Sequence, residues 1–235
     1  MNLIRMGNWI DAFRPTKDAP PQTLGQFYKW SLAGSWGQLA LASLLSALAG
    51  VTEVVSAIVL GWVIDAAIGG NPASFFTDHA ALLLWSMAFY LIIRPLAYAA
   101  SSATVQITLG PNLLPLVLSR LHRWTLGQAL TFFDNDFAGR IAQKQMQAAR
   151  AVTDVTTETI NTLFFALASV IASVAYLLAV DLWIALALAI WLIGYLALIQ
   201  FFIPKVRENS AARASSRAMA EGRRVGTMTN VTTVS

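Results

Sequence analysis

Two ionisable side chains, Glu53 and Arg94, stand inside long apolar runs, where a charge is costly and usually faces a bundle interior or a watery cavity. A carboxylate and a guanidinium in that setting can do one of two things. They can neutralise each other as a structural ion pair that fixes two membrane spans, or they can line a pathway for a substrate, a proton or an ion. Glu53 lies 16 residues before Gly69, and Arg94 lies 16 after Asp78. Each offset is roughly 24 Å of helix, so the two can sit at similar depth and pair.

A second constellation is the stretch LTFFDNDFAGRIAQKQ, residues 130–145. Phe132, Phe133 and Phe137 offer apolar bodies that either fill a partner's groove or pack against helices of the same chain. Asp134, Asn135 and Asp136 can cap backbone donors at helix starts, and Gly139 follows them. Near the end lies TMTNVTTV, residues 227–234, with Thr229, Asn230, Val231 and Thr232 at its centre. Asn230-Val231-Thr232 fits a glycosylation sequon, but the side of the membrane deduced below makes it incidental.

Other chemistry is excluded or weak. There is no cysteine, hence no disulfide, thiolate metal site or cysteine nucleophile. His79 and His122 are single and separated by a whole apolar run, so no metal site is expected. No GxxxxGK[ST] loop is present to cradle a nucleotide phosphate, and no catalytic residue is assigned. Ser101, Ser102 and Thr104 can line a cavity or bond to their own helix, the commoner outcome. Gly50, Ala57 and Gly61 suit close helix packing.

The elements that carry these residues are membrane spans. The 235-residue chain is 57% hydrophobic and only 12% charged, against about a quarter charged in soluble domains. Four runs reach the roughly 20 apolar residues that cross a bilayer: about 32–68, 80–118, 156–180 and 182–203. The net charge of +4 does not indicate nucleic acid, because fifteen of the sixteen Lys and Arg fall in residues 1–31, 120–150 and 204–224. Basic blocks mark the cytoplasmic side, and the connections near 69–79 and 180–182 carry none. The expected path is in, out, in, out, in, with a cytoplasmic N-terminus that lacks a signal-peptide core.

Residues 1–31 are expected to be a cytoplasmic N-terminus, with Thr16 to Trp30 as an interfacial segment leading into a membrane domain over 32–235. The first run, roughly 55 Å as a continuous helix, must tilt, break or protrude. Pro95, Pro111 and Pro115 are candidate kinks in the second. Strong helix formers from Ser119 to Ala151, interrupted at Thr131 to Gly139, predict two spans continuing into the cytoplasm around a compact tip. A further extension is expected after Pro204.

With these features the chain resembles the transmembrane half of an exporter of the ATP-binding cassette (ABC) family. The resemblance rests on an aromatic pair, an acid, a glycine and a hydrophobic-basic helical stretch, here Phe132, Phe133, Asp134, Gly139, Ile141 and Lys144, and on the segment 227–234. Arg140, Gln143, Ala148 and Gly226 depart from the family pattern. The resemblance implies an all-α integral membrane fold with long helices reaching the cytoplasm, here the N-terminal four spans of an incomplete six-helix domain, as in a fragment or truncated product.

It also implies two coupling elements that dock on nucleotide-binding domains: Phe132, Phe133, Asp134, Asn135, Asp136, Phe137 and Gly139 in the first, and Thr229, Asn230, Val231 and Thr232 in the second. The partners implied are a nucleotide-binding domain, downstream or on a separate chain, a second transporter half in a homo- or heterodimer, and membrane lipid. ATP and Mg are expected for the complete transporter and not for this chain, which alone is no ATPase. The expected location is the bacterial plasma (inner) membrane. A secondary transporter or channel using Glu53 or Arg94, and a membrane scaffold, are the alternatives.

Overall fold

In lipid every backbone N–H and C=O must find its partner within the segment, so the apolar runs fold as helices. The computed structural model describes residues 9–16, 19–71, 73–128 and 138–204, with Ala138 as backbone alone. Every regular element among them is helical. In chain order these are α1 (Leu24–Ser31), α2 (Trp36–Gly69), α3 (Phe75–Asp78), α4 (Ala80–Leu126), α5 (Gly139–Val180) and α6 (Leu182–Pro204). Four of them, α2, α4, α5 and α6, are long and apolar enough to cross a membrane. The 47 residues of α4 and 42 of α5 correspond to about 70 and 63 Å of helix, twice the thickness of a hydrocarbon core.

The prolines do not break α4. Pro95 and Pro111 lack an N–H and crowd the carbonyl four residues back, which belongs to Leu91 and Ile107 respectively. Both carbonyls fall within wide π-helical turns, Phe89–Ile93 and Thr104–Leu109. The extra residue per turn reroutes the hydrogen bonds there, and the helix continues. Pro115 remains inside the regular helix Gly110–Leu126. A third wide turn, Thr159–Phe164, lies in α5 and contains no proline.

The chain divides into two compact units, residues 1–173 and 174–235. In the first, the core joins Ile10, Trp30, the start of α2 at Leu39 and Ala42, the second half of α4, and Ala149, Val152 and Ile160 of α5. Leu109, Leu113, Leu116 and Val117 recur at helical spacing and are fully enclosed. Inside a bilayer such seams are held by close packing more than by transfer from water, since lipid tails are as apolar as leucine. Gly50 shows this directly: a Cβ there would lie 2.3 Å from the carbonyl oxygen of Phe165. Its bare backbone lets α2 meet α5 where the third wide turn ends.

Gly61 differs from Gly50, because a Cβ would meet nothing within 4 Å, and Ala57 is exposed. These two positions face away from the helices of the first unit. Elsewhere Trp62, Ile68, Trp85 and Leu91 also point outward, as expected of helices that meet lipid or further helices.

Between α1 and α2 the chain reverses through Gly34, at φ +86°. A side chain there would be strained by that angle and would also strike the Arg14 guanidinium, 2.7 Å from the Cβ position. In the second unit α6 starts at Asp181, whose Oδ1 accepts the backbone N–H of Trp183 at 2.7 Å. That carboxylate satisfies a donor of the first turn, and one residue suffices to restart the helix.

Candidate functional site

The first unit brings Glu53 of α2 and Arg94 of α4 together. Arg94 Nη2 donates to Glu53 Oε1 at 2.9 Å and to Oε2 at 3.2 Å. The Tyr98 hydroxyl donates to the same Oε1, and the Arg94 guanidinium carbon lies 5.7 Å from the centre of the Tyr98 ring. One helical turn away, the Tyr90 hydroxyl donates to the Ser56 carbonyl at 2.6 Å. Tyr90, Arg94 and Tyr98, spaced four apart, thus form one polar edge of α4 against Glu53 and Ser56. The pair is neither sealed nor free, with side chains 36% and 39% exposed for Arg94 and Glu53. Tyr98 also tilts against Phe165, 6.1 Å between ring centres, which links the pair to the close α2–α5 contact.

Chemically, the arrangement neutralises two charges and accepts a third hydrogen bond at the carboxylate. It leaves Arg94 Nε buried without a hydrogen-bond partner among the described residues. Thr104 bonds back to the Ala100 carbonyl at 2.8 Å. Ser101 is buried and Ser102 exposed.

A second polar centre lies at the far end of α4. Arg120 is only 2% exposed and pairs with no carboxylate among the described residues. Its Nη1 donates to the carbonyls of Trp30 at 2.7 Å and Ser31 at 2.8 Å, its Nη2 to Ala33 at 2.7 Å, and its Nε to Arg14 at 3.3 Å. The Trp30 and Ser31 oxygens belong to the last turn of α1, whose carbonyls lack the regular intrahelical partner, and Trp30 also accepts the Ala33 N–H at 3.4 Å; a guanidinium there also complements the α1 dipole. Ser119 Oγ adds a bond to the Ala12 carbonyl at 3.0 Å, and Gln38 Nε2 one to Trp9 at 2.6 Å. The N-terminal segment is therefore fastened to α4 and α2 through its backbone.

This clamp escaped the sequence reading, which counted Arg120 only as part of a basic block. A signal was present: Arg120 continues the buried positions Leu113, Leu116 and Val117 at helical spacing.

Phe132, Phe133, Asp134, Asn135, Asp136 and Phe137 lie outside the described residues, as do Thr229, Asn230, Val231 and Thr232. Gly139 opens α5 in open space. Six residues further along α5, Gln145 Nε2 donates to Thr125 Oγ1 at 2.6 Å and ties α5 to the end of α4. No three His, Cys, Asp or Glu residues gather as metal ligands among the described residues.

Four apolar helices, two of them far longer than a bilayer core, define a polytopic α-helical membrane domain. The family model described as ABC transporter transmembrane region matches residues 39–235, and the chain belongs to that family. It is 30% identical over 216 residues to a protein of Haemophilus influenzae (strain ATCC 51907 / DSM 11121 / KW20 / Rd) named an uncharacterized ABC transporter ATP-binding protein. The match covers 92% of this chain and 35% of that protein. The chain thus spans about a third of this relative's length. No solved structure matches it.

Proposed function

We propose that this chain is the membrane-spanning part of an ATP-driven exporter, forming its substrate pathway and coupling it to cytoplasmic nucleotide-binding domains. The observation that carries the reading is the length of α4 and α5 within a chain of this family. Two helices packed side by side, each about twice the length of a bilayer core, make a lever, and residues 129–137 connect them in the sequence. Coupling would pass through Phe132, Phe133, Asp134, Asn135, Asp136, Phe137 and Gly139, and through Thr229, Asn230, Val231 and Thr232.

On this reading the N-terminus, the α4–α5 connection and the segment after Pro204 are cytoplasmic, and the membrane is a bacterial plasma membrane. The complete transporter is a homo- or heterodimer. This chain has no phosphate-binding loop, so ATP and Mg would be held by the nucleotide-binding domains and not by these residues. Glu53 and Arg94 serve as a structural pin between α2 and α4, supported by their two-oxygen contact and by the Tyr98 hydroxyl. A secondary transporter would instead need one of them free to take up a proton or ion.

The test is ATP hydrolysis by the protein at its natural length, reconstituted in liposomes. Vanadate-sensitive hydrolysis is expected. The double substitution Phe132→Ala and Phe133→Ala should lower it by roughly tenfold or more, as losing a pair of interface anchors does. Absence of vanadate-sensitive hydrolysis in the unsubstituted protein would overturn the exporter reading.

A further inference from the structure

Between α4, α5 and the N-terminal segment lies a cavity of about 530 Å³, within the size range of small-molecule and lipid-chain sites. Its walls change character along α4. Pro115 and Leu118 make an apolar part, His122 and Arg123 follow at one end, and Phe13 and, from α5, Ala142 and Met146 add apolar lining. From Pro115 to Arg123 is eight residues, about 12 Å of helix. No carboxylate lines the cavity among the described residues.

The uncharged polar groups in the wall are already engaged: Ser119 Oγ with the Ala12 and Leu116 carbonyls, and Gln145 with Thr125. The side chains of His122 and Arg123 are exposed and have no hydrogen-bond or ion-pair partner among the described residues. Phe13 is 65% exposed despite its size.

The depth of the cavity follows from Arg120. That residue holds the C-terminal end of α1, the segment whose composition suits the membrane interface. With α1 at the interface on the exporter reading, Arg123 stands three residues past Arg120 toward the cytoplasm, and Leu118 and Pro115 stand on the bilayer side. The order of cation, interface and apolar wall matches the profile of a phospholipid standing in its leaflet. A soluble anion would use only the Arg123 end. A peptide would need a row of partners for its backbone, and besides His122 and Arg123 this wall holds only Ser119 and Gln145 as polar side chains among the described residues, with their donors already engaged.

We propose that this cavity binds an anionic phospholipid of the cytoplasmic leaflet, with its phosphate against Arg123 and His122 and an acyl chain along Leu118, Pro115 and Phe13. Basic pockets between membrane helices on the cytoplasmic side suit anionic headgroups for the same reason. The proposal rests on the exporter reading for its assignment of the cytoplasmic side. Through Phe13 and Met146 the lipid would bridge the clamped N-terminal segment to α5.

The test is native mass spectrometry of the protein at its natural length, titrated with phosphatidylglycerol or phosphatidylcholine of identical chains. The unsubstituted protein should retain one phosphatidylglycerol at roughly fivefold or more lower lipid concentration than phosphatidylcholine. Arg123→Gln should abolish that preference, and the exposed position of Arg123 makes the variant benign for folding. Leu118→Trp, which fills the chain slot, should lower retention with Arg123 intact. Lys29→Gln, a basic residue of α1 outside the cavity, should change nothing.

The proposal is overturned if phosphatidylglycerol has no advantage, if Arg123→Gln keeps it, or if Lys29→Gln removes it equally. It is also overturned if glycerophosphoglycerol without acyl chains displaces the lipid. Vanadate-sensitive ATP hydrolysis in the same preparation reports separately on the exporter reading.

Discussion

At the scale of residues, Gly50 and the Glu53–Arg94 pair bind α2 to its neighbours by opposite means, one by having no side chain and the other by having charged ones. Gly50→Ala would gain up to about 1 kcal/mol in helix propensity, but its Cβ would press on the Phe165 backbone, where overpacking costs about 1–3 kcal/mol. A lower thermal unfolding midpoint in detergent is expected for Gly50→Ala and none for Gly61→Ala, whose Cβ meets open space. Equal effects would refute the close contact.

For the pair, removing one partner strands the other charge, whereas replacing both removes the problem. Arg94→Met alone should depress the midpoint and the folded yield. The double change Arg94→Met with Glu53→Leu should recover most of the loss, and a double variant no better than the single would argue against a structural pin. The pair could be read in the sequence because charges inside apolar runs are rare and these two are equidistant from one connection. Tyr98 was not legible, since a tyrosine in an apolar run carries no such mark.

At the scale of elements, the sequence makes the long helices plain through their apolar length, but it leaves their seams obscure. Pro95 and Pro111 pointed to disturbed turns, and the wide turns stand one turn before each. The wide turn at Thr159–Phe164 has no proline to announce it and sits beside the tertiary contact with Gly50. Likewise, Arg120 looked like any basic residue at a membrane edge, because its acceptors are backbone carbonyls roughly ninety residues away. Such partners have no residue type to read.

Hydrogen bonds from a charged donor contribute about 1.5–3 kcal/mol each, so Arg120→Ala should release the segment before α2. Limited proteolysis should then cut within residues 9–35 much faster than in the unsubstituted protein, with α4 still protected. Arg120→Lys, which cannot reach all four carbonyls, should fall between. Unchanged cleavage would show that the core contacts of Ile10 and Trp30 hold the segment alone.

At the scale of the molecule, the apolar faces of α2, the first half of α4 and α6 remain uncovered. They suit lipid, and they also suit other helices. The family was legible from the order of spans, basic blocks and the FFDNDFAG stretch, and the match over residues 39–235 agrees with it. The docking contacts were not legible, because Phe132, Phe133 and Phe137 have the same composition whether they fill a partner's groove or pack on their own helices.

One measurement separates those outcomes. The chain has no cysteine, so Phe133→Cys in the protein at its natural length, within an otherwise cysteine-free background, can carry a single benzophenone photocrosslinker. The account predicts adducts on an ATPase domain bearing a phosphate-binding loop, with a yield that changes when vanadate traps nucleotide. Adducts confined to the membrane helices of the same chain, unchanged by vanadate, would contradict it.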